Sequence, residues 1–217
     1  MTSSSHYAPF TRAYSTESIP IKCVCIGDSA VGKTALLTRY MLGIMPSEHM
    51  PTTLDKFDVA TEENNHEIIL ETWDTSGNDS YGQMRSLAYN DADVFIVCYA
   101  INSPSSLENV RKQWIPEIRS HSCQIPFVLV GTKSDLRPHK SEKKELSRAK
   151  QSLRLVDPAK ASDEARTLGA FASTECSSLE QTGIKAVFSK AIEAALEISV
   201  AKRGRKRRPK KKFCTLL

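Results

Sequence analysis

Residues 27 to 34 read G-D-S-A-V-G-K-T, a complete G-x-x-x-x-G-K-[ST] pattern. That spacing serves the gripping of a phosphate chain. Several backbone N–H groups must converge on one anion, and side chains would block the approach. Gly27 and Gly32 leave room and permit unusual backbone angles. Asp28, Ser29, Ala30 and Val31 carry the backbone between them, Lys33 brings a positive charge for the β and γ phosphates, and Thr34 offers a hydroxyl to Mg2+. A helix opening here would aim the positive end of its dipole at the anion.

Two further clusters could complete a nucleotide site. T-K-S-D at 132 to 135 follows the apolar run F-V-L-V-G. Asp135 there can accept hydrogen bonds from the N1–H and 2-amino group of guanine, which adenine lacks, so adenine would leave the carboxylate unpaired. The Lys133 stem can lie along the base plane. A solvated turn explains the tetrapeptide equally well in isolation; its place after a strand, about 100 residues beyond the phosphate loop, favours the pocket. W-D-T-S-G at 73 to 77 closes another strand, from which Asp74 would reach Mg2+ through water and Gly77 could offer its N–H to the γ phosphate. Thr52, in M-P-T-T-L, is a candidate second hydroxyl for the metal, or an ordinary loop threonine on spacing alone.

The elements that must position these groups alternate along the chain. I-K-C-V-C-I (21 to 26), K-F-D-V-A-T (56 to 61), H-E-I-I-L-E-T-W (66 to 73), V-F-I-V-C-Y-A (94 to 100), F-V-L-V-G-T (127 to 132) and T-E-C-S (174 to 177) read as strands. Two of them are continuous apolar runs, as central parallel strands are. Helices are predicted at K-T-A-L-L-T-R-Y-M-L, across Leu107, Val110, Trp114 and Ile118, in the charged stretch 141 to 155, near 162 to 172, and from about Gly183 to Lys202. The alternation predicts a three-layer α/β domain on a mostly parallel six-stranded sheet, with ligands at the carboxyl ends of the strands.

The chain has 217 residues and a formal net charge of +5. Residues 202 to 212 hold nine basic residues and no acid, more than the whole net charge, so the remainder is mildly acidic. A basic end implies an anionic partner, lipid head groups or nucleic acid. The six cysteines show no zinc spacing and are expected reduced, with Cys23, Cys25 and Cys98 in apolar runs. No run of about 18 apolar residues occurs, and the first ten residues lack the apolar core of a signal peptide. Residues 1 to 18 read as a flexible Ser/Thr-rich extension, 19 to 201 as the domain, and 202 to 217 as a polybasic tail.

G-D-S-A-V-G-K-T, P-T-T-L-D-K-F, W-D-T-S-G-N-D-S-Y, W-I-P-E-I, G-T-K-S-D-L, E-C-S-S-L and the terminal C-T-L-L occur in one order. Together they resemble the Rho/Rac family of small GTPases over residues 20 to 217. The charged insert at about 138 to 155 falls where that family carries an extra helix. The resemblance implies a P-loop GTPase fold that binds GTP or GDP with Mg2+ and turns GTP into GDP and phosphate. It implies nucleotide contacts from residues 27 to 34, Ala35, Met45, Thr52, Asp74, Gly77, Thr132, Lys133, Asp135, Ser177, Ser178 and Leu179. Thr34, Thr52 and, through water, Asp74 are the implied metal set; Asn78, Lys33 and Gly77 are the implied catalytic set. Residues 44 to 58 and 74 to 90 would be two switches ordered by the γ phosphate, meeting effectors, exchange factors and activating proteins.

The chain also departs from that pattern. Asn78 stands where the family has a water-positioning glutamine, Met45 where a phenylalanine packs on guanine, and His49 where a tyrosine closes over the phosphates. Ser29 replaces a common glycine, and Thr53, Leu54 and Phe57 alter the effector-facing pattern. A side chain one methylene shorter misses by roughly 1.5 Å, and about 1 Å of misplacement can cost on the order of 100-fold. Slow hydrolysis is therefore expected, and faster nucleotide release from Met45. A monomeric switch with weak turnover is the reading; a constitutively GTP-loaded adaptor is the alternative. C-T-L-L implies a geranylgeranyl group on Cys214, with 202 to 212 as the second membrane signal. That places the chain on the cytoplasmic face of the plasma membrane or of endomembranes such as Golgi and endosomes. Actin organisation, polarity or trafficking are the outputs the resemblance implies, and no nucleic-acid partner is expected.

Overall fold

The computed structural model describes residues 18–46, 52–121, 124–138 and 154–206. The strands are β1 (Ile19–Gly27), β2 (Leu54–Glu63), β3 (His66–Thr75), β4 (Val94–Ala100), β5 (Phe127–Thr132) and β6 (Ala172–Glu175). They form one sheet in the order β2-β3-β1-β4-β5-β6. Only β2 runs antiparallel, against β3; the other pairs are parallel. The helices are α1 (Lys33–Leu42), α2 (Gly82–Tyr89), α3 (104–121), α4 (Pro158–Leu168) and α5 (Ile184–Lys206). This is the expected three-layer α/β fold, consistent with a P-loop GTPase.

The apolar runs are shared between two cores by strand alternation. Cys23, Cys25, Ile96, Cys98, Val128 and Val130 face one way, under Leu36 and Leu37 of α1 and Val187, Phe188, Ala191 and Ile192 of α5. Val24, Ile26, Phe95, Val97, Phe127 and Leu129 face the other, under Ala88 of α2, Leu107, Val110, Trp114 and Ile118 of α3, and Ala161 and Ala165 of α4. β4 and β5 are buried along their whole length. The four cysteines 23, 25, 98 and 176 are free and buried, as apolar packing demands.

Several boundaries differ from the sequence expectation, each for a local reason. The helix expected near 162 to 172 starts at Pro158, because the Asp157 carboxylate accepts from the Ala159 N–H at 2.9 Å and Pro occupies the first turn. It stops at Gly169, whose φ of 74° suits glycine. The last strand lies at Ala172–Glu175 rather than 174 to 177, since Ser177 turns away to bridge Thr182. β2 begins at Leu54, two residues before the expected start, paired with Thr75.

α3 is α-helical at Pro104–Asn109, π-helical at Val110–Trp114 and α-helical again at Ile115–His121. The wide turn closes with the Ile115 N–H on the Val110 carbonyl. It directly precedes Pro116, which has no N–H for the next bond of an α-helix. Residues 1 to 17, His49, the interior of the insert (139 to 153) and the tail beyond 206, including Cys214, lie outside the described residues.

Candidate functional site

The parallel strands end along one edge, and the sheet order reverses at β1, whose neighbours are β3 and β4. That topological switch point is where an open α/β sheet leaves a crevice. The loop following β1 is the phosphate loop. Its backbone turns through left-handed conformations at Gly27 (φ 141°), Ala30 (φ 60°) and Gly32 (φ 100°). Any Cβ on Gly27 would collide with the Cys98 carbonyl of β4. α1 then opens with no side-chain cap and no acidic residue in its first turn, so its first N–H groups are available to an anion.

Lys33 is only 6% exposed, and its Nζ donates to the Gly27 and Asp28 carbonyls, both at 2.8 Å. Burial lowers its pKa, while Asp74 and Asp28 are among the groups holding it up. A buried cation lodged against carbonyl dipoles beside an uncapped helix start has an anion as its natural partner.

Three oxygens meet beside the lysine. The Thr34 and Thr52 hydroxyls lie 2.9 Å apart, and both donate to Asp74 Oδ2, at 2.6 and 3.1 Å. Asp74 Oδ1 is buried and, among the described residues, has no hydrogen-bond partner. Burial raises the Asp74 pKa, and the Thr34 hydroxyl, Lys33 and Thr52 pull against that. Two hydroxyls and one carboxylate with an unused oxygen fit Mg2+, a hard cation that keeps several waters and takes the rest of its oxygens from phosphates. Among the described residues no three His, Cys, Asp or Glu side chains form a cage of their own. Thr34, Thr52 and Asp74 would hold the metal only jointly with a phosphate, where it would offset the charge on the outer oxygens.

The base side is built from the ends of β5 and β6. The Thr132 hydroxyl donates to the Val31 carbonyl and, at 3.1 Å, to the Tyr99 carbonyl. Lys133 sits in a left-handed conformation (φ 63°) and its Nζ donates to the Ala30 carbonyl at 2.9 Å. Both residues therefore brace the phosphate loop from the base side, a role their sequence pattern does not reveal. The buried Ser177 donates to Asp135 Oδ1 at 2.5 Å, orienting the carboxylate that can receive guanine. Met45 and Leu179 are exposed, and Ser178 contributes its carbonyl to a contact with Arg39.

A family model described as the Ras family matches residues 22–197. The chain belongs to the Ras family. It is thus a small GTPase, of a kind that binds GTP and GDP with Mg2+ and meets effectors, exchange factors and activating proteins. The match and the cleft agree, because the match spans every element that carries the phosphate, metal and base groups.

The segment after β3 lies against the phosphate loop. Gly77 lies so close to the phosphate loop that a Cβ there would strike the backbone of Asp28 and Ser29. Asn78 follows, exposed, at the start of a 3-10 turn (Asp79–Tyr81). Its side-chain oxygen accepts from the Ser80 N–H at 3.0 Å, and its carbonyl accepts from Arg85 Nη1 at 2.8 Å. Arg85 is 2% exposed, donates also to the Ser76 carbonyl at 3.0 Å, and pairs with both Glu117 oxygens at 2.9 and 3.0 Å.

Sequence reasoning missed Arg85, Glu117 and two further groups of α3: Asn109 Nδ2 and Trp114 Nε1 donate to the two Asp28 oxygens at 2.8 and 2.7 Å. W-I-P-E-I was legible as part of a helix, but Trp114 reads there as core alone. Its ring is core; its N–H is a brace for the phosphate loop.

Proposed function

We propose that this Ras-family GTPase is a Rho-type switch that loads GTP and hydrolyses it slowly. The observation that carries the slow step is the engagement of Asn78. Its amide oxygen caps the following turn and its backbone is tied to Arg85. A side chain already short by roughly 1.5 Å must give up that cap to meet the attacking water, and about 1 Å of misplacement costs on the order of 100-fold. Lys33 still supplies positive charge to the phosphates, and Thr34, Thr52 and Asp74 would hold an Mg2+ that adds to it, so strong binding goes with weak water positioning. The Rho assignment rests on the motif order, the charged insert and the C-T-L-L end.

Single-turnover hydrolysis on Mg2+-loaded protein tests the reading. Asn78→Gln is expected to raise the rate by about 10- to 100-fold; an unchanged rate overturns it. The same observation favours a second reading, a persistently GTP-loaded adaptor. Freshly isolated protein carrying mostly GTP supports the adaptor, and mostly GDP supports the switch.

We infer membrane attachment from sequence: one geranylgeranyl chain on Cys214 holds weakly, and the nine basic residues at 202 to 212 add up to about 1 kcal/mol each at an anionic leaflet. No helix among the described residues is long and apolar enough to cross a membrane. Vesicle pelleting of prenylated protein, lost in Cys214→Ser and weakened by salt, is the expected result.

A further inference from the structure

We propose that Arg39 is a latch that holds the base-reading loop at 177 to 181 to the root of the first switch, and so sets how fast nucleotide leaves. The proposal deepens the nucleotide-pocket reading and rests on it. Arg39 lies in the last turn of α1. A basic residue there ordinarily serves its own helix end, and Arg39 does so through Nη1, which donates to the Gly43 carbonyl at 2.7 Å. The rest of the guanidinium reaches elsewhere. Nε donates to the Ser178 carbonyl at 2.8 Å and Nη2 to the Leu179 carbonyl at 3.4 Å, across 139 and 140 residues of chain.

The loop it grips is shaped for one task. Ser177 exchanges backbone hydrogen bonds with Thr182 at 2.9 and 3.1 Å, its hydroxyl accepts from the Glu180 N–H at 3.0 Å, and the same hydroxyl donates to Asp135. Gln181 and Gly183 make the return through left-handed conformations, φ 58° and 71°. Gly183 is packed so tightly on the Glu175 carbonyl that no Cβ fits. The inner side of the loop is thus fixed by the end of β6. Its outer side, the carbonyls of 178 and 179, is fixed by Arg39.

The other end of the latch is Gly43, which also accepts from Gln181 Nε2 at 3.5 Å. Gly43 is a left-handed helix terminus (φ 68°), and Met45 follows two residues later, 41% exposed. One guanidinium therefore ties the loop that orients the Asp135 carboxylate to the segment that would cover the base. Met45 supplies no aromatic edge there, so the anchoring of its segment falls to the latch. Arg39 directs Nε, Nη1 and Nη2 to these three carbonyls; it is a positioning residue.

Full-length protein loaded with fluorescent GDP and chased with unlabelled GDP in Mg2+ gives the test. Arg39→Ala is expected to speed release by about tenfold or more, the scale of losing charged hydrogen bonds to two carbonyls. Arg39→Lys, which can satisfy one carbonyl at a time, is expected to fall between. The preference for GDP over inosine diphosphate, which lacks the 2-amino group, should shrink in Arg39→Ala as Asp135 loses its orientation. The acceleration produced by chelating Mg2+ should keep its wild-type factor, because the phosphate end is untouched. A helix-capping role alone predicts a lower melting temperature with an unchanged GDP-to-inosine-diphosphate ratio, and that result overturns the latch. Should Arg39→Ala not fold, Arg39→Lys releasing GDP at the wild-type rate overturns it equally. Wild-type protein that does not distinguish guanine from adenine nucleotides would strike down the pocket reading instead.

Discussion

The two ends of the nucleotide cleft are built on different principles. The phosphate end is a continuous piece of chain, residues 27 to 34, whose geometry comes from backbone: left-handed turns, an uncapped helix start and a glycine wedged against Cys98. Lys33 is buried against the Gly27 and Asp28 carbonyls of the same loop, and the buried Asp74 takes the Thr34 hydroxyl. The base end is assembled from three separate stretches, at 39 to 45, 132 to 135 and 177 to 181, and side chains hold it together. A site made of backbone tolerates little change at its glycines. A site made of side-chain ties can be retuned one contact at a time, and Met45, Arg39 and the S-S-L loop are where this chain's own choices lie.

The contrast can be broken most forcefully at Lys33. Lys33→Met leaves the phosphates without their buried charge; truncating one partner of a buried charged pair costs about 2–5 kcal/mol, so GDP affinity measured by titration should fall about 30- to several-thousand-fold. A loss under fivefold would mean that the backbone N–H groups alone carry the anion.

A smaller effect is expected from the brace behind the loop. Trp114→Phe keeps an aromatic ring in the core but is smaller and lacks the Nε1 donor to Asp28; a hydrogen bond to a charged group is worth about 1.5–3 kcal/mol, and the urea midpoint should drop by at least a corresponding amount. If Asn109→Ala adds a further loss smaller than its single effect, the two donors act as one network on Asp28.

At the base end, Met45→Phe should slow GDP release by about three- to tenfold, the scale of the 0.5–1.5 kcal/mol that an aromatic pair adds beyond its area. Equal release from both proteins would show that the methionine covers the base as well as a ring. Least of all should follow from Lys190→Ala on α5. Its pair with Glu193 at 2.7 Å is exposed on both sides, and the melting temperature should not move measurably.

Much of the phosphate end was legible in the residues themselves. G-x-x-x-x-G-K-T between a β-branched run and an amphipathic stretch encodes a backbone conformation, and a backbone conformation is a local property. Asp74 and Gly77 could be placed beside it because they close a strand and parallel strands end on one edge; spacing alone leaves Thr52 open, and the fold brings its hydroxyl to Asp74. The boundary differences are local too: the helix starts at the Asp157-Pro158 cap rather than near 162, and Ser177 leaves the strand to bridge Thr182.

What the sequence alone determined, then, is the alternation of elements, the phosphate loop and the identity of the groups that could meet a metal and a guanine. Tertiary structure decided which side chains hold those groups still. Arg39 meets Ser178, Trp114 meets Asp28, and Arg85 meets both Glu117 and the Asn78 carbonyl. Local propensity fixes φ, ψ and periodicity, but contacts between residues up to 139 apart depend on how the strands are ordered and where the helices cross them, and no local spacing carries that information.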